Sequence, residues 1–181
     1  NLDLGLTFCY EWMPAGQWGW VRRATLRNDG TEPVAVEMID GLQNVLPSGV
    51  EQKTQNVFST LVDAYKKTET LSFATLFRME AILVDRAEPS ESLRCNAVFT
   101  LGLPEARLLA SSRQLDAFRM QQPIADEPES KGVRGAALAH LALTLDADSQ
   151  RTWYEVCDVA LDATEVRARM QRLAQPDAAE E

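Results

Sequence analysis

The stretch Gln17-Trp18-Gly19-Trp20-Val21-Arg22-Arg23-Ala24-Thr25-Leu26-Arg27-Asn28-Asp29-Gly30, followed by Val34-Ala35-Val36-Glu37-Met38-Ile39-Asp40, decides the fold class. Trp18, Trp20, Arg22, Ala24 and Leu26 fall on one side of a period of two; Val21, Arg23, Thr25 and Arg27 fall on the other. Such alternation marks a strand with one buried face. Asn28-Asp29-Gly30 is a turn signal, because Asn and Gly tolerate positive φ. Val34, Val36 and Met38 then alternate against Ala35, Glu37 and Ile39. Residues 17–40 are therefore expected to form an antiparallel hairpin.

Strand-like runs recur on both sides of this segment. Leu4, Leu6, Phe8 and Tyr10 share a face in residues 4–12, and Leu93, Cys95, Ala97, Phe99 and Leu101 share one in residues 92–101. Further strands are expected at 71–77 and 79–85, as two strands or one bent one, and at 107–112, 136–145 and 151–161. The last two are expected to pair as a hairpin across Asp146-Ala147-Asp148-Ser149. Residues 40–50 lack a clean period and read as an ordered excursion, and 86–91 as a charged turn. Residues 113–119 read as a short helical turn, and 121–131, with Pro123 and Pro128, as a mobile loop.

Two segments change period. Val50, Val57, Phe58, Leu61 and Tyr65 repeat at helical spacing, with Gln52, Lys53, Gln55, Asp63 and Lys66 between them. This predicts one amphipathic helix over 51–67 with its apolar face on a sheet. Asp162 with Glu165 three residues on forms a capping-box pattern. Val166, Met170 and Leu173 continue that helix until Pro176. The expected fold is mainly β: an antiparallel sandwich over 1–161 with one inserted amphipathic helix. Residues 162–181 then supply a C-terminal helix and the start of an interdomain linker.

Composition narrows the function classes. The 181 residues are 45% apolar and 25% charged, ordinary for a globular domain. Lys and Arg number 18 against 27 Asp and Glu, a net charge of −9. That balance argues against sequence-independent nucleic-acid binding and against an anionic membrane surface. No apolar run approaches the roughly 20 residues of a membrane span. The chain starts at Asn1 without a basic-then-apolar leader and a few residues ahead of a strand. A cytoplasmic fragment of a larger protein is the expectation. Cys9, Cys95 and Cys157 are far apart in apolar runs and are expected to be buried, reduced thiols. The single histidine, His140, is expected to be a strand residue with one hydrogen-bond partner, and no metal or other cofactor is expected.

The densest cluster of unusual residues is Tyr10-Glu11-Trp12-Met13-Pro14-Ala15-Gly16-Gln17-Trp18-Gly19-Trp20-Val21-Arg22-Arg23. Tryptophan faces beside carboxylate and guanidinium groups suit a sugar. The same residues also suit an apolar seam against another domain, or plain core, and core or interdomain contact is favoured on local grounds. Arg22 and Arg23, adjacent on a strand, must point to opposite faces. Glu11 and Asp40 are candidates for an acid pair.

Glu11-Trp12-Met13 with Trp18-Gly19-Trp20-Val21-Arg22-Arg23, then Leu26-Arg27-Asn28-Asp29-Gly30, resembles the early hairpin of large carbohydrate-active enzymes related to cellobiose phosphorylase. Those enzymes form glycoside hydrolase family 94, earlier glycosyltransferase family 36. Residues 40–50 resemble a run in proteins of that broad class. The resemblance covers mainly residues 10–50. It implies a β-supersandwich of the galactose-mutarotase type ahead of a catalytic (α/α)6 barrel in the same parent chain. It also implies that no catalytic residue lies in this segment. The expected function is thus a non-catalytic domain that packs on and shapes the barrel's sugar site. Glu11, Trp12, Trp18, Trp20, Arg22 and Arg23 would contact carbohydrate or the barrel, and homodimerisation is a further expectation. Two rival readings remain: a free-standing carbohydrate-binding module using Trp12, Trp18 or Trp20, and a small enzyme using Glu11, Asp40 or His140.

Overall fold

Ten strands and four helices make up the computed structural model, which describes residues 3–81, 92–175 and 178. The strands are β1 (Leu6–Ala15), β2 (Gly19–Asn28), β3 (Val34–Val45), β4 (Lys66–Leu71), β5 (Ala74–Met79), β6 (Cys95–Leu101), β7 (Arg107–Ser111), β8 (Glu129–Lys131), β9 (Gly135–Leu145) and β10 (Gln150–Leu161). The helices are α1 (Gln52–Val57), α2 (Ser59–Tyr65), α3 (Arg113–Arg119) and α4 (Ala163–Leu173). The fold is an antiparallel β-sandwich with a C-terminal helix. A large sheet runs β1-β2-β10-β6-β5-β4-β8 and a small one β3-β9-β7.

The expected hairpin over 17–40 does not form. β2 pairs with β1 and β10, whereas β3 pairs with β9 in the other sheet. Residues 29–33 are a corner between sheets, and residues 146–149 are a second corner beside it. The expected β9–β10 hairpin is absent for the same reason. Asn28 stitches the two corners together. Its fully buried side chain places Nδ2 2.8 Å from the Glu32 carbonyl, 3.0 Å from that of Asp146 and 3.2 Å from that of Leu145. Its Oδ1 accepts from the Gly30 N–H at 2.9 Å. A turn-forming Asn therefore serves here as a buried polar rivet. The true early hairpin is β1–β2, closed by the Trp18 N–H donating to the Ala15 carbonyl. Gly19 follows with φ +74, its α-carbon against the Cys157 carbonyl, where no side chain fits.

Apolar layers form on both faces of each sheet. Between the sheets, Leu6, Ala24, Leu26 and Trp153 meet Ala139, Leu141 and Leu145, and Phe77 and Val98 meet Ala137. Each large side chain buried there contributes about 1.5–3 kcal/mol. On the outer face of the large sheet, α4 lays Val166 and Leu173 over Ala97, Phe99, Val156 and Trp18. Its capping box forms as read: Asp162 Oδ1 accepts from the N–H groups of Thr164 and Glu165 at 2.8 and 2.9 Å. Glu165 Oε2 accepts from the Asp162 N–H at 2.8 Å. On the outer face of the small sheet, Leu115 and Ile124 pack on Leu109, Ala136 and Leu138.

The predicted 51–67 helix is broken at Phe58, whose φ of −119° and ψ of 38° leave the helical region. Its faces are also reversed. Val57, Phe58, Leu61 and Tyr65 point to solvent, while Gln55 and Val62 are buried. Gln55 Nε2 and Lys66 Nζ both donate to Asp63 Oδ1, at 3.2 and 2.9 Å, so hydrogen bonds support the inward polar groups.

Strand boundaries shift in the middle of the chain. β4 and β5 form a tight hairpin over 66–79, in place of strands at 71–77 and 79–85, and positions 82–85 lie outside the described residues. The turn over 86–91 also lies outside them, as does most of the tail after Gln175. The segment expected as a loop over 121–131 contributes β8 to the sheet edge. Of the cysteines, all free, Cys95 is buried, Cys157 half-buried and Cys9 exposed on the edge strand, so only part of the buried-thiol expectation holds. Burial pushes the Cys95 thiol up to about 11 and the Cys157 thiol up to about 12. Among the described residues, no helix is long and apolar enough to cross a membrane.

Candidate functional site

The large sheet has seven strands and the small one three, so part of the large sheet's inner face is left uncovered. The register shows what stands there. Across β1 and β2, Phe8 lies opposite Leu26, Tyr10 opposite Ala24, Trp12 opposite Arg22 and Pro14 opposite Trp20. Directly opposite residues share a face. Across β2 and β10, Ala24 lies opposite Trp153, Arg22 opposite Glu155 and Trp20 opposite Cys157. Toward β10 this face is core. Toward the edge it becomes a shelf of four exposed aromatics: Phe8, Tyr10, Trp12 and Trp20.

A buried charge cluster stands beside the shelf on the same face. Arg22 Nη1 and Nη2 donate to the two oxygens of Asp40 at 2.7 and 2.9 Å, the two-pronged geometry that suits a guanidinium. Arg22 Nη1 also donates to Glu155 Oε2 at 2.8 Å. Trp153 Nε1 donates to Asp40 Oδ2 at 2.8 Å. The Arg22 guanidinium lies 4.7 Å from the Tyr10 ring centroid and 6.0 Å from that of Phe8. Phe8 stacks on Trp153 at 5.9 Å. Burial pushes the Glu155 carboxyl up to about 7, helped by the charge of Asp40 and opposed by Arg22. Burial also works against the Arg22 charge. The hydrogen bond to Asp40 and the charges of Glu155 and Asp40 outweigh it and hold the guanidinium above its ordinary value.

The six sequence-nominated residues do not form one site. Trp12, Trp20 and Arg22 come together on the inner face. Glu11 and Arg23 form an exposed ion pair on the opposite face of the same two strands. Trp18 precedes β2 and turns away from Trp20: it is 6% exposed against 58%, and packs under α4. The Arg169 guanidinium lies 5.1 Å from its ring. The expectation that Trp18 and Trp20 share a face fails because Gly19 turns the chain between them. Glu11 and Asp40 make no acid pair, since they stand on opposite faces. His140 lies on the small sheet with its Nε2 2.9 Å from Glu37 Oε1 and the Phe118 ring edge-on to it. Sequence reasoning did not single out Trp153 and Glu155. The available signal was their spacing of two, which puts an indole and a carboxylate on one face of an interior strand.

The shelf offers flat apolar rings to a ring-shaped ligand, with the Tyr10 hydroxyl and indole N–H groups as donors. Arg22, 7% exposed at its side chain, packs its guanidinium against the Tyr10 ring and presents little surface of its own. Glu155 is 2% exposed at its side chain and, among the described residues, meets only Arg22 by hydrogen bond. Among the described residues no group of three His, Cys, Asp or Glu side chains gathers to hold a metal ion. No protein-family model matches the chain, and no curated protein matches its sequence.

Proposed function

We propose that this chain is a non-catalytic β-sandwich domain of a larger carbohydrate-active enzyme, in which the Tyr10–Trp12–Trp20 shelf forms one wall of a sugar site. A separate catalytic (α/α)6 barrel of the same parent supplies the other wall and the reacting groups. The observation that carries this reading is the bare aromatic shelf braced by Arg22, Asp40 and Glu155. Aromatic rings stack on the apolar face of a pyranose, and a braced ring loses little freedom on binding. The apolar surfaces at Trp12 and Trp20 and at Val57, Phe58 and Leu61 are the kind a domain exposes when its partner is removed. They support contact with the barrel, or with a second copy of the chain. The exposed free thiol of Cys9 supports a reducing compartment such as the cytoplasm.

The exposed indoles of Trp12 and Trp20 also favour a second reading, a free-standing carbohydrate-binding module. Titration with cello- and malto-oligosaccharides, followed by tryptophan fluorescence, separates the two. A wall of a shared site gives no saturable micromolar binding in the isolated domain. Affinity then appears only when the barrel is present, and falls in Trp20→Ala. Saturable micromolar binding by the domain alone, lost in Trp12→Ala or Trp20→Ala, overturns the first reading in favour of the second.

A further inference from the structure

α1 and α2 turn their polar side toward the protein, and a cavity of about 610 Å³ lies on that side. Gln52, Gln55, Asn56, Ser59 and Asp63 follow one another at helical spacing along it, and Lys66 and Arg134 complete the charged part of its lining. The α1–α2 segment buries the Gln55 amide and exposes Val57, Phe58, Leu61 and Tyr65, which reverses the usual arrangement. Its inward polar groups therefore need a function or a partner.

One of them lacks a partner. Gln55 is only 7% exposed, and its carbonyl Oε1 has no hydrogen-bond partner among the described residues. A buried acceptor left unpaired keeps the full penalty of its lost hydration. Arg134, exposed at the edge of the lining, makes no ion pair among the described residues, and its charge helps to lower Asp63. Lys66, itself buried, donates to Asp63, and its ammonium carries three donors. The lining thus holds two cations against one carboxylate, a ring of side-chain amides and an unmet acceptor. The volume falls within the range of small-molecule sites.

The geometry points to a binding site for a small polyhydroxylated anion, a sugar ring carrying one carboxylate or phosphate. Its hydroxyls would donate to Gln55 Oε1 and accept from Asn56 and Gln52, while its anionic group would meet Arg134 and Lys66. This site is built from residues other than those of the aromatic shelf, and its test does not depend on the function proposed for the shelf.

Isothermal titration with glucuronate, glucose 6-phosphate, glucose and inorganic phosphate tests it. Saturable binding of glucuronate or glucose 6-phosphate is expected, at least about tenfold tighter than glucose or phosphate alone. Whichever of the two binds tighter identifies the acid group. Arg134→Gln, at the rim and without an ion pair to lose, should weaken that binding about tenfold with unchanged thermal stability. Gln55→Met should weaken it as well, with folding checked by near-ultraviolet circular dichroism. No saturation at millimolar ligand, equal affinity for glucose or for phosphate alone, or unchanged affinity in Arg134→Gln would each overturn the assignment.

Discussion

Replacing Arg22 with Met should be among the most destabilising single changes on the inner face. The substitution keeps the apolar stem but withdraws the donors that meet Asp40 at 2.7 and 2.9 Å and Glu155 at 2.8 Å. Those carboxylates are 14% and 2% exposed at their side chains, so water cannot replace the lost partner. Breaking a buried ion pair from one side costs about 3–5 kcal/mol. Loss of the cation over Tyr10 adds about 0.5–2 kcal/mol. Urea unfolding at neutral pH measures the total. The double variant Arg22→Met, Glu155→Leu should recover part of the loss, because it removes a buried carboxyl that has lost its hydrogen-bond donor. A cost below about 1 kcal/mol for Arg22→Met would refute the reasoning.

The pH dependence provides a second readout of the same cluster. Glu155 ordinarily titrates near 4.5 and in the fold is pushed up to about 7. The folded state therefore holds this proton more tightly than the unfolded chain does. The resulting stability is fully present below 4.5 and is lost as pH rises through about 7. Across that window it amounts to about 3 kcal/mol. Asp63 and Glu69 act in the opposite direction and elsewhere. Burial raises each, but hydrogen bonds from Lys66 and Gln55, and from Arg78 and Lys67, outweigh it. Their contribution is lost as pH falls below their ordinary values, so the window above 4.5 belongs to Glu155. Glu155→Gln should flatten it, and a slope there that survives the substitution would show that another group is responsible.

Three further outcomes follow from the packing. Leu61→Ala should change stability by less than about 0.5 kcal/mol, whereas Val62→Ala, one position on, should cost about 1–3 kcal/mol; thermal unfolding of the two variants checks the reversed helix. Asn28→Ala should cost at least about 2 kcal/mol, because three carbonyls and one N–H at the sheet corners lose a shared partner; amide exchange at residues 29–33 and 146–149 should accelerate with it. Acrylamide should quench the fluorescence of Trp12 and Trp20 and leave Trp18 and Trp153 shielded, which single-tryptophan variants can show.

The sequence was most legible where local chemistry decides the outcome. The capping box of Asp162 and Glu165 works within one helical turn, and the period of two survives any rearrangement of strands. Pairing was less legible. Asn28-Asp29-Gly30 marks a change of direction, but whether the next strand returns beside β2 or crosses to the other sheet depends on what lies across the gap. Here β9 and β10 run alongside, and Asn28 finds the carbonyls of Leu145 and Asp146 within reach. No property of residues 17–40 contains that information, because it resides more than a hundred positions away.

The candidate site shows the same division between face and cover. Phe8, Tyr10 and Trp12 alternate on β1 as Ala24 and Leu26 do on β2, and by register they share one face. Periodicity assigns a residue to a face and says nothing of what covers it. Ala24 is buried because the small sheet reaches that far, and Tyr10 is bare because a three-stranded sheet cannot span a seven-stranded one. The helices over 52–65 show the same limit with the sign reversed. Their period was correct, but the polar face is the one turned inward, where Asp63 can accept from both Gln55 and Lys66. In both places an apolar surface with regular spacing stands in solvent beside buried charge. Burial in a second body would satisfy such surfaces, which is why both the shelf and the helix face belong at the centre of any test of partner binding.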